Sequence, residues 1–219
     1  MAATETIPGV KRKGVKRKRD AKATRGAILE AARAEFAGRG LGGGRIDAVA
    51  ERAGCNKAMI YHYFGSKDAL FAAVLQHNYT LIRQAEADLD LRSLAPVDAV
   101  RAFVEFSFDY VAANPEFIKL INEENLHRAI HIDPATARQM NSPVTSALGD
   151  VLKRGAADGS FRGDVDPQDL YISIASICYF PISNRYTLSA IFDLPQGDAM
   201  LAARRAQALA VIFGYLRPL

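Results

Sequence analysis

The segment GCNKAMIYHYFGSKDAL, residues 54–70, decides the fold. A short helical pattern over residues 45–53 precedes it, and a second one lies within it at residues 57–64. Gly54 between them supplies the left-handed backbone conformation that a tight turn needs, and Ala50 is small enough for two helices to cross closely. This arrangement is typical of a helix-turn-helix, whose second helix enters the major groove of DNA.

The other patterns in the chain are also helical. A first helix is expected from Ala21 to the glycine-rich run at residues 38–44, and a helix with Ser66 as its N-cap follows the turn segment. Further helices are expected over residues 94–113, 116–132, 135–157 with an interruption at Pro143, 166–192 with a kink at Pro181, and 196–216. The predicted fold class is therefore all-α. Three parts follow along the chain, namely a disordered basic arm (1–20), a helix-turn-helix DNA-binding domain (21–67) and a helical ligand-binding and dimerisation domain (68–219).

The apolar spacing also predicts which side chains are buried near the turn segment. In the first helix, Ile28 and Phe36 lie on the apolar face, and Glu35 is expected to face outward. In the helix at residues 57–64, Ile60 and Phe64 are expected to lie in the core.

The glycine-rich run contains the spacing G-x-G-x-x-G through Gly38, Gly40 and Gly43. In dinucleotide-binding proteins this fingerprint follows a β-strand and opens a helix. Because a charged amphipathic helix precedes it here, no nucleotide site is expected, and no other pattern indicates a cofactor.

The composition is that of a folded globular protein, with 49% hydrophobic and 24% charged residues among 219. Cys55 and Cys178 are too few for a disulfide framework or a Cys-rich zinc site, so a reducing compartment suits them. The start of the chain lacks the apolar core of a secretion signal, and no apolar stretch is long enough to cross a bilayer. We expect a cytoplasmic protein, associated with the nucleoid when it is bound to DNA, with no membrane partner.

The charge is divided unevenly along the chain. Residues 1–67 carry 15 Lys and Arg against six Asp and Glu, whereas residues 68–219 carry 13 against 18. A positively charged N-terminal part followed by a slightly acidic remainder is typical of a protein that binds a polyanion through its N-terminal part. The densest block, residues 11–19, repels itself and is expected to stay unfolded until phosphates neutralise it. It is either an arm that grips DNA or a solubilising tail.

Residues 54–70 closely resemble the signature of TetR-family transcriptional regulators, in which a turn, a recognition helix ending in an aromatic cluster and a Ser-Lys opening of the fourth helix occur in this order. The resemblance extends from about Thr24 to Leu75, and residues 114–117 and 122–128 are similar to one subgroup of the family's regulatory domains. It implies a homodimeric regulator, most often a repressor, that a small molecule releases from a palindromic operator in double-stranded DNA. The alternative is an activator, or a metal- or redox-responsive regulator, of the same fold.

Two places depart from the family's pattern. Gly44 stands where the family usually has Thr or Ser, so the phosphate contact of that side chain is lost or passes to the backbone amide. Cys55-Asn56 replaces the commoner Val-Ser. Asn56 is expected to cap the recognition helix as well as serine does, and Cys55 to fill core space, with a redox role as the alternative.

The recognition helix opens with Lys57 and Ala58, which are placed to read base edges: lysine donates to guanine or to a phosphate, and alanine packs on a thymine methyl. Tyr61 and Tyr63 are expected to donate their hydroxyls to phosphates, and His62 either joins them or faces water. The candidate DNA-binding residues are Arg45, Asn56, Lys57, Ala58, Met59, Tyr61, His62, Tyr63 and Lys67.

The helix expected at residues 116–132 places Glu123, His127 and His131 on one face at i, i+4 and i+8. Two histidines one turn apart beside an acid could hold a metal, form the polar wall of a small-molecule pocket, or face solvent or a dimer rim. We assign no metal site. The candidate ligand-binding residues are Phe106, Tyr110, Glu124, Asn125, His127, His131 and Tyr179.

The last two long helices, at about residues 166–192 and 196–216, are the expected dimer interface. Residues 170–182 are apolar nearly all round, which a monomer could sustain only by exposing a large apolar patch. Two other classes are disfavoured: an enzyme would need a nucleophile or an acid–base pair, and a membrane-surface adaptor would need apolar residues within the basic tail.

Overall fold

A computed structural model of the chain describes residues 11–194 and 197–218. Over these residues the chain forms ten helices and no strand, which confirms the all-α prediction. The helices are α1 (Lys11–Gly43), α2 (Ile46–Ala53), α3 (Lys57–Phe64), α4 (Lys67–Ala87), α5 (Pro96–Ala113), α6 (Pro115–Leu126), α7 (Pro134–Ala157), α8 (Pro167–Ser183), α9 (Arg185–Phe192) and α10 (Asp198–Leu216). None of the helices in these two ranges combines the length with the apolar character that crossing a membrane requires.

The chain divides into two compact units between Val74 and Leu75, inside α4 rather than at its start. The first unit packs α2, α3 and the beginning of α4 against α1. Its core contains Phe36 of α1 and Phe71 of α4, whose rings pack edge to face with centroids 5.4 Å apart. Ile28, Val49 and Ile60 are buried around this pair, as their spacing predicts.

The first helix begins earlier than the sequence indicates. Residues 11–20, expected to be unfolded, are the first turns of α1. Lysine and arginine are good intrinsic helix formers, so the cationic block extends a helix that is already nucleated beyond Ala21. Residues 1–10 of the expected arm lie outside the described residues.

The second unit buries one apolar core among α5, α7, α8 and α10. Pro96, Pro134 and Pro167 stand in the first turns of α5, α7 and α8, where a missing N–H costs nothing. The largest fully buried side chains of this core are Phe103, Phe108, Leu148, Leu170, Ile174 and Ile212.

Three helix boundaries in this unit differ from the predicted ones. The helix expected at residues 116–132 ends at Leu126, because Arg128 and Ala129 both take the left-handed conformation, with φ of 58°. The helix expected at residues 166–192 breaks into α8 and α9 at Asn184, one turn after Pro181. By contrast, α7 continues through Pro143 without the expected interruption.

Candidate nucleic-acid interface

The turn between α2 and α3 is built on Gly54. Its φ of 63° and ψ of 34° are left-handed, as predicted. The Gly54 amide donates to the carbonyl of Glu51, at 3.2 Å, and the Cys55 amide donates to the carbonyl of Ala50, at 3.0 Å. These two bonds satisfy two of the last four carbonyls of α2 and fix the direction in which the chain leaves it. The sharp turn to α3 is therefore rigid rather than a loose loop.

Asn56 caps α3, which confirms its predicted role. Its Oδ1 accepts a hydrogen bond from the Met59 amide at 2.8 Å, and its backbone is extended, as an N-cap requires. Ile60 faces inward and is 1% exposed. On the opposite face of α3, the side chain of Tyr63 is half-buried and five others are exposed: Lys57, Ala58, Met59, Tyr61 and His62. Six of the nine candidate DNA-binding residues thus lie on α3, and Asn56 directly precedes it.

The end of α3 is less deeply buried than its pattern indicates. Phe64 is only half-buried, and the guanidinium of Arg25 lies over its ring at 5.1 Å from the centroid. The ring of Tyr63 meets that of His62 edge to face, with centroids 5.6 Å apart. This aromatic group holds the last turn of α3 in a defined orientation.

Lys57 is held by a carboxylate that the sequence analysis did not single out. Its Nζ lies 3.0 Å from Asp47 Oδ1 and donates to Oδ2 at 3.2 Å. Asp47 stands in the first turn of α2, where the helix dipole favours a negative charge. The pair spans the helix-turn-helix from the start of one helix to the start of the next, and both side chains are at least half exposed. Lys57 is thereby held in place at the start of α3 before any DNA is present.

The start of α2 is fixed by Glu35, which was expected to face outward and is instead 5% exposed. Its Oε1 accepts a hydrogen bond from the Arg45 amide at 3.1 Å and lies 3.4 Å from Arg39 Nε. Arg45 is the N-cap residue of α2, and its own side chain is exposed. The prediction for Glu35 was wrong because the chain folds back over the end of α1, and this contact cannot be read from helical spacing.

Any residue larger than glycine at position 44 would force its neighbours to move. A Cβ built on it would lie 2.7 Å from Phe36 Cδ1 and 3.0 Å from the carbonyl oxygen of Gly40. Its amide donates to that same oxygen at 3.0 Å. The Gly44 amide is therefore already engaged within the chain.

Lys67 lies at the beginning of α4, behind the cap supplied by Ser66. The Ser66 hydroxyl accepts from the Ala69 amide at 3.0 Å, which confirms the predicted N-cap. The Lys67 ammonium donates to the carbonyl of Gly42 at 3.1 Å. An ammonium has three N–H donors, so this bond positions Lys67 and leaves donors for a phosphate.

The candidate ligand-binding residues do not come together in one place. Asn125 and Tyr179 line a cavity of about 300 Å³ in the second unit. Phe106 instead packs against Tyr110, with the two ring planes tilted by 43°, and the Tyr110 ring meets that of Phe117 edge to face. The cavity has a polar end, formed by Arg83 and Glu86 of α4 with Tyr171 of α8, that the sequence analysis missed. The sequence shows only an opposite-charge pair at i, i+3 in a stretch that is largely polar, which is also the pattern of a solvent-exposed helix face.

The stripe of Glu123, His127 and His131 does not form, since α6 ends before His127. The chain turns back so that His131 meets Glu124, which is buried. Glu124 accepts from the His131 amide at 2.7 Å, and the two side chains lie 2.7 Å apart at Nδ1 and Oε2. His127 Nδ1 lies 2.9 Å from the carbonyl oxygen of Glu123. Among the residues that the structure describes, no group of three potential metal ligands occurs.

Both cysteines are free thiols. Burial raises the pKa of Cys178 to about 12, with Asp109 adding to the effect, so this thiol stays protonated and inert. Cys55 is half-buried at the turn, which fits its predicted packing role.

A rigid left-handed turn, a capped second helix and a face of basic, hydroxyl and small side chains define a helix-turn-helix DNA-binding protein. Two family models match the chain: "Bacterial regulatory proteins, tetR family" over residues 28–74, and "Tetracyclin repressor-like, C-terminal domain" over residues 96–212. The chain belongs to the TetR family of transcriptional regulators.

Relatives and solved structures agree with this assignment. The HTH-type transcriptional repressor NicS of Pseudomonas putida is 39% identical over 188 residues, which cover 85% of this chain and 89% of NicS. The crystal structure of SCO4942 from Streptomyces coelicolor superposes with a TM-score of 0.66 at 26% identity, covering 89% of this chain and 99% of that one. AibR, solved in complex with isovaleryl coenzyme A and operator DNA, shares the fold, with a TM-score of 0.62 at 18% identity over 87% of this chain and 98% of AibR.

Proposed function

We propose that the protein is a transcriptional repressor that binds a palindromic operator as a homodimer and is released by a small molecule. The observation that carries the proposal is the exposed face of α3, which Asn56 caps and the Gly54 turn presents away from the core. A relative named as a repressor, NicS, covers most of the chain and supports the direction of regulation. AibR, which shares the fold, was solved with both a small molecule and operator DNA.

The face of α3 divides into residues that read bases and residues that hold the backbone. Lys57 and Ala58 open the helix, where side chains reach base edges in the major groove, and Met59 lies beside them. Tyr61, His62 and Tyr63 follow as phosphate contacts. Arg45 and Lys67 flank the helix-turn-helix at the starts of α2 and α4, where free amides and cations together attract phosphate.

The experiment is a titration of a fluorescent duplex, enriched from a random pool, with wild type and three single-site variants. Lys57→Ala removes a base-reading contact, so it should weaken binding to the enriched duplex by ~1–3 kcal/mol and reduce the preference over an unrelated duplex. Lys67→Ala should weaken binding to both duplexes similarly and lower the salt slope by about one. Lys153→Ala, at an exposed lysine of α7, is the matched control and should leave both affinities unchanged.

Two results would contradict the roles proposed for Lys57 and α3. If Lys57→Ala weakens binding to both duplexes by the same factor, Lys57 contacts phosphate and does not read bases. If Lys57→Ala and Lys153→Ala behave alike, α3 is not the DNA-contacting helix.

The dimer surface that we propose lies on the last two long helical segments, at about residues 166–192 and 196–216, which are α8, α9 and α10 in the structure. Ile212 and Leu216 of α10 are buried within the chain's own core, so other residues must form the surface. Large apolar side chains remain exposed along the last three helices at Ile172, Phe180, Tyr186, Ile191, Phe192, Val211 and Tyr215. Side chains of this size in one region indicate a surface that is covered in the assembly. Sedimentation of Ile172→Glu should show a monomer if α8 lies in the interface, and an unchanged dimer would exclude it.

The basic segment at the start of the chain is proposed to add affinity that is independent of sequence. Seven cations lie within residues 11–19, and phosphates that they neutralise release counterions. Deletion of residues 1–19 should therefore flatten the dependence of operator affinity on salt. An unchanged slope would show that the segment is only a solubilising tail.

A further inference from the structure

The cavity of about 300 Å³ in the second unit has an aromatic wall and a single charged end. Tyr79 of α4, Phe103 of α5, Phe117 of α6 and Tyr179 of α8 contribute rings to its lining. The volume lies at the lower limit of small-molecule pockets, so it suits a molecule with about one ring. A ligand as large as a coenzyme A thioester exceeds it.

The charged end is built around Arg83, whose side chain is 11% exposed. Its Nη2 donates to the Tyr171 hydroxyl at 2.7 Å, and its guanidinium lies over the Tyr171 ring at 5.3 Å from the centroid. Its Nη1 lies 2.8 Å from Glu86 Oε2, but the two groups are not aligned for a hydrogen bond. Arg83 Nε and Nη1 and Glu86 Oε2 are thus buried polar atoms without a hydrogen-bond partner. Unsatisfied buried donors of this kind are rare in native proteins and indicate a missing partner.

Glu86 is the second charged group and is 6% exposed. Burial raises its pKa to about 7, although the charge of Arg83 acts in the opposite direction. The other titratable groups of this cavity are Tyr79, Tyr171, Tyr179 and Cys178. On the α7 side, Glu86 also borders a second cavity that Asp90 and Arg92 line. Near neutral pH, therefore, a proton can enter or leave Glu86 at little cost.

We propose that this cavity binds a small, flat, apolar molecule that carries one carboxylate, with the carboxylate accepting hydrogen bonds from Arg83. The proposal rests on the proposed function, because this ligand is the effector that the repressor senses. Arg83 is the one cation in the described lining of the cavity. Its Nη1 lies against Glu86 without a hydrogen bond and its Nε–H has no acceptor, so a ligand carboxylate supplies what these two groups lack. A cationic ligand would be repelled by Arg83.

Binding of the carboxylate has a consequence for Glu86. A second negative charge next to Glu86 disfavours its ionised form, so Glu86 takes a proton from the solvent when the ligand enters. The protonated carboxyl group then donates its O–H to the ligand or to a neighbouring acceptor. Because Glu86 titrates near pH 7 in the free protein, proton uptake should approach one per ligand at pH 8 and be a small fraction at pH 6.

The experiment is isothermal titration calorimetry of the full chain with benzoate, benzamide and benzylamine, which share a ring and differ in charge. Titrations in two buffers with different ionisation enthalpies give the number of protons taken up. Benzoate should bind saturably, about tenfold or more tightly than the other two, since a charge-assisted bond to Arg83 is available only to it. Proton uptake should follow the pH dependence given above.

Three variants test the assigned residues. Arg83→Gln should weaken benzoate binding about tenfold or more, whereas Arg138→Gln, at an exposed arginine of α7, should leave it unchanged. Glu86→Gln should keep benzoate binding and abolish proton uptake, because glutamine does not titrate. This last variant keeps the test decisive if Arg83→Gln fails to fold.

Several outcomes would overturn the proposal. Benzamide binding as tightly as benzoate without proton uptake would show a site for a neutral amide, and preferential benzylamine binding would show that Glu86 is the anchor. Proton uptake that persists in Glu86→Gln would assign it to another group. If no probe binds while the same samples bind operator DNA, the carboxylate site is wrong and the DNA-binding function stands. If benzoate binds as described and no duplex is bound, the carboxylate site stands and the DNA-binding function is wrong.

Discussion

Substitution of Gly44 by alanine tests whether the start of the helix-turn-helix is packed as the structure shows. The added Cβ would lie 2.7 Å from Phe36 Cδ1, 2.9 Å from Cε1 and 3.0 Å from the Gly40 carbonyl oxygen. Phe36 is 2% exposed and its ring packs edge to face against Phe71, so any movement of the ring disturbs the core. The Gly40 oxygen is backbone and is bound to the Gly44 amide.

The magnitude follows from two opposing terms. Overpacking of this kind costs ~1–3 kcal/mol of the free energy of unfolding. Alanine in place of glycine raises the free energy of unfolding by ~0.4–1 kcal/mol, because the unfolded chain has less conformational freedom. Gly44→Ala should therefore be net destabilising by about 1–2 kcal/mol. The start of α2 should move with it, since Arg45 follows directly, so operator affinity should fall as well.

Gly38→Ala is the matched control, in the last turns of α1. A Cβ at Gly38 meets nothing within 4 Å. Only the favourable term applies there, so this variant should be more stable than wild type by ~0.4–1 kcal/mol. Urea denaturation followed by far-UV circular dichroism measures both changes. If Gly44→Ala proves as stable as Gly38→Ala, the packing of Phe36 against Gly44 is not as described.

Three further predictions concern the cap, the ion pair and the buried carboxyl group. Asn56→Ala leaves the Met59 amide without its acceptor and should cost ~1 kcal/mol of the free energy of unfolding, which urea denaturation measures; a change below ~0.3 kcal/mol would contradict the cap. Asp47→Asn frees Lys57 and removes a negative charge from the DNA-facing surface, so affinity for duplex DNA should rise by a few-fold in titrations at low salt; a fall would contradict the pairing. The folded-state pKa of Glu86 is about 7, above its ordinary value of 4.5. The folded state therefore favours the protonated form: this contribution to the free energy of unfolding is fully present below pH 4.5 and is lost as the pH rises to 7. Wild type should therefore lose ~3 kcal/mol relative to Glu86→Gln over this range, and parallel stability profiles of the two proteins would contradict the burial of Glu86.

Local chemistry explains which features could be predicted from the sequence. The Gly54 turn and the caps at Asn56 and Ser66 involve residues within a few positions of one another, so residue type and spacing are sufficient to identify them. The helical periods of α2, α3 and α5 were equally readable, because each helix has one apolar face. The expectations of a two-fold operator complex and of a small-molecule effector came instead from the family resemblance.

The features that sequence reasoning missed depend on distant contacts. Glu35 is buried because the chain folds back across the end of α1, and Asp47 meets Lys57 only because the turn brings the starts of two helices together. The early end of α6 depends on the buried Glu124, which holds His131 by its amide and its ring. Arg83 and Glu86 looked like an ordinary surface pair at i, i+3, and only the position of α8 makes them the polar end of a cavity.

The most direct test of the central claim is selection of duplexes from a random pool by the purified wild-type protein. We expect an enriched inverted repeat whose half-sites lie about 34 Å apart, one helical turn, because two copies of α3 enter successive major grooves. Selection with Lys57→Ala should then lose preference at one pair of symmetric positions. Enrichment of no sequence at low salt, or of a site without two-fold symmetry, would contradict the account.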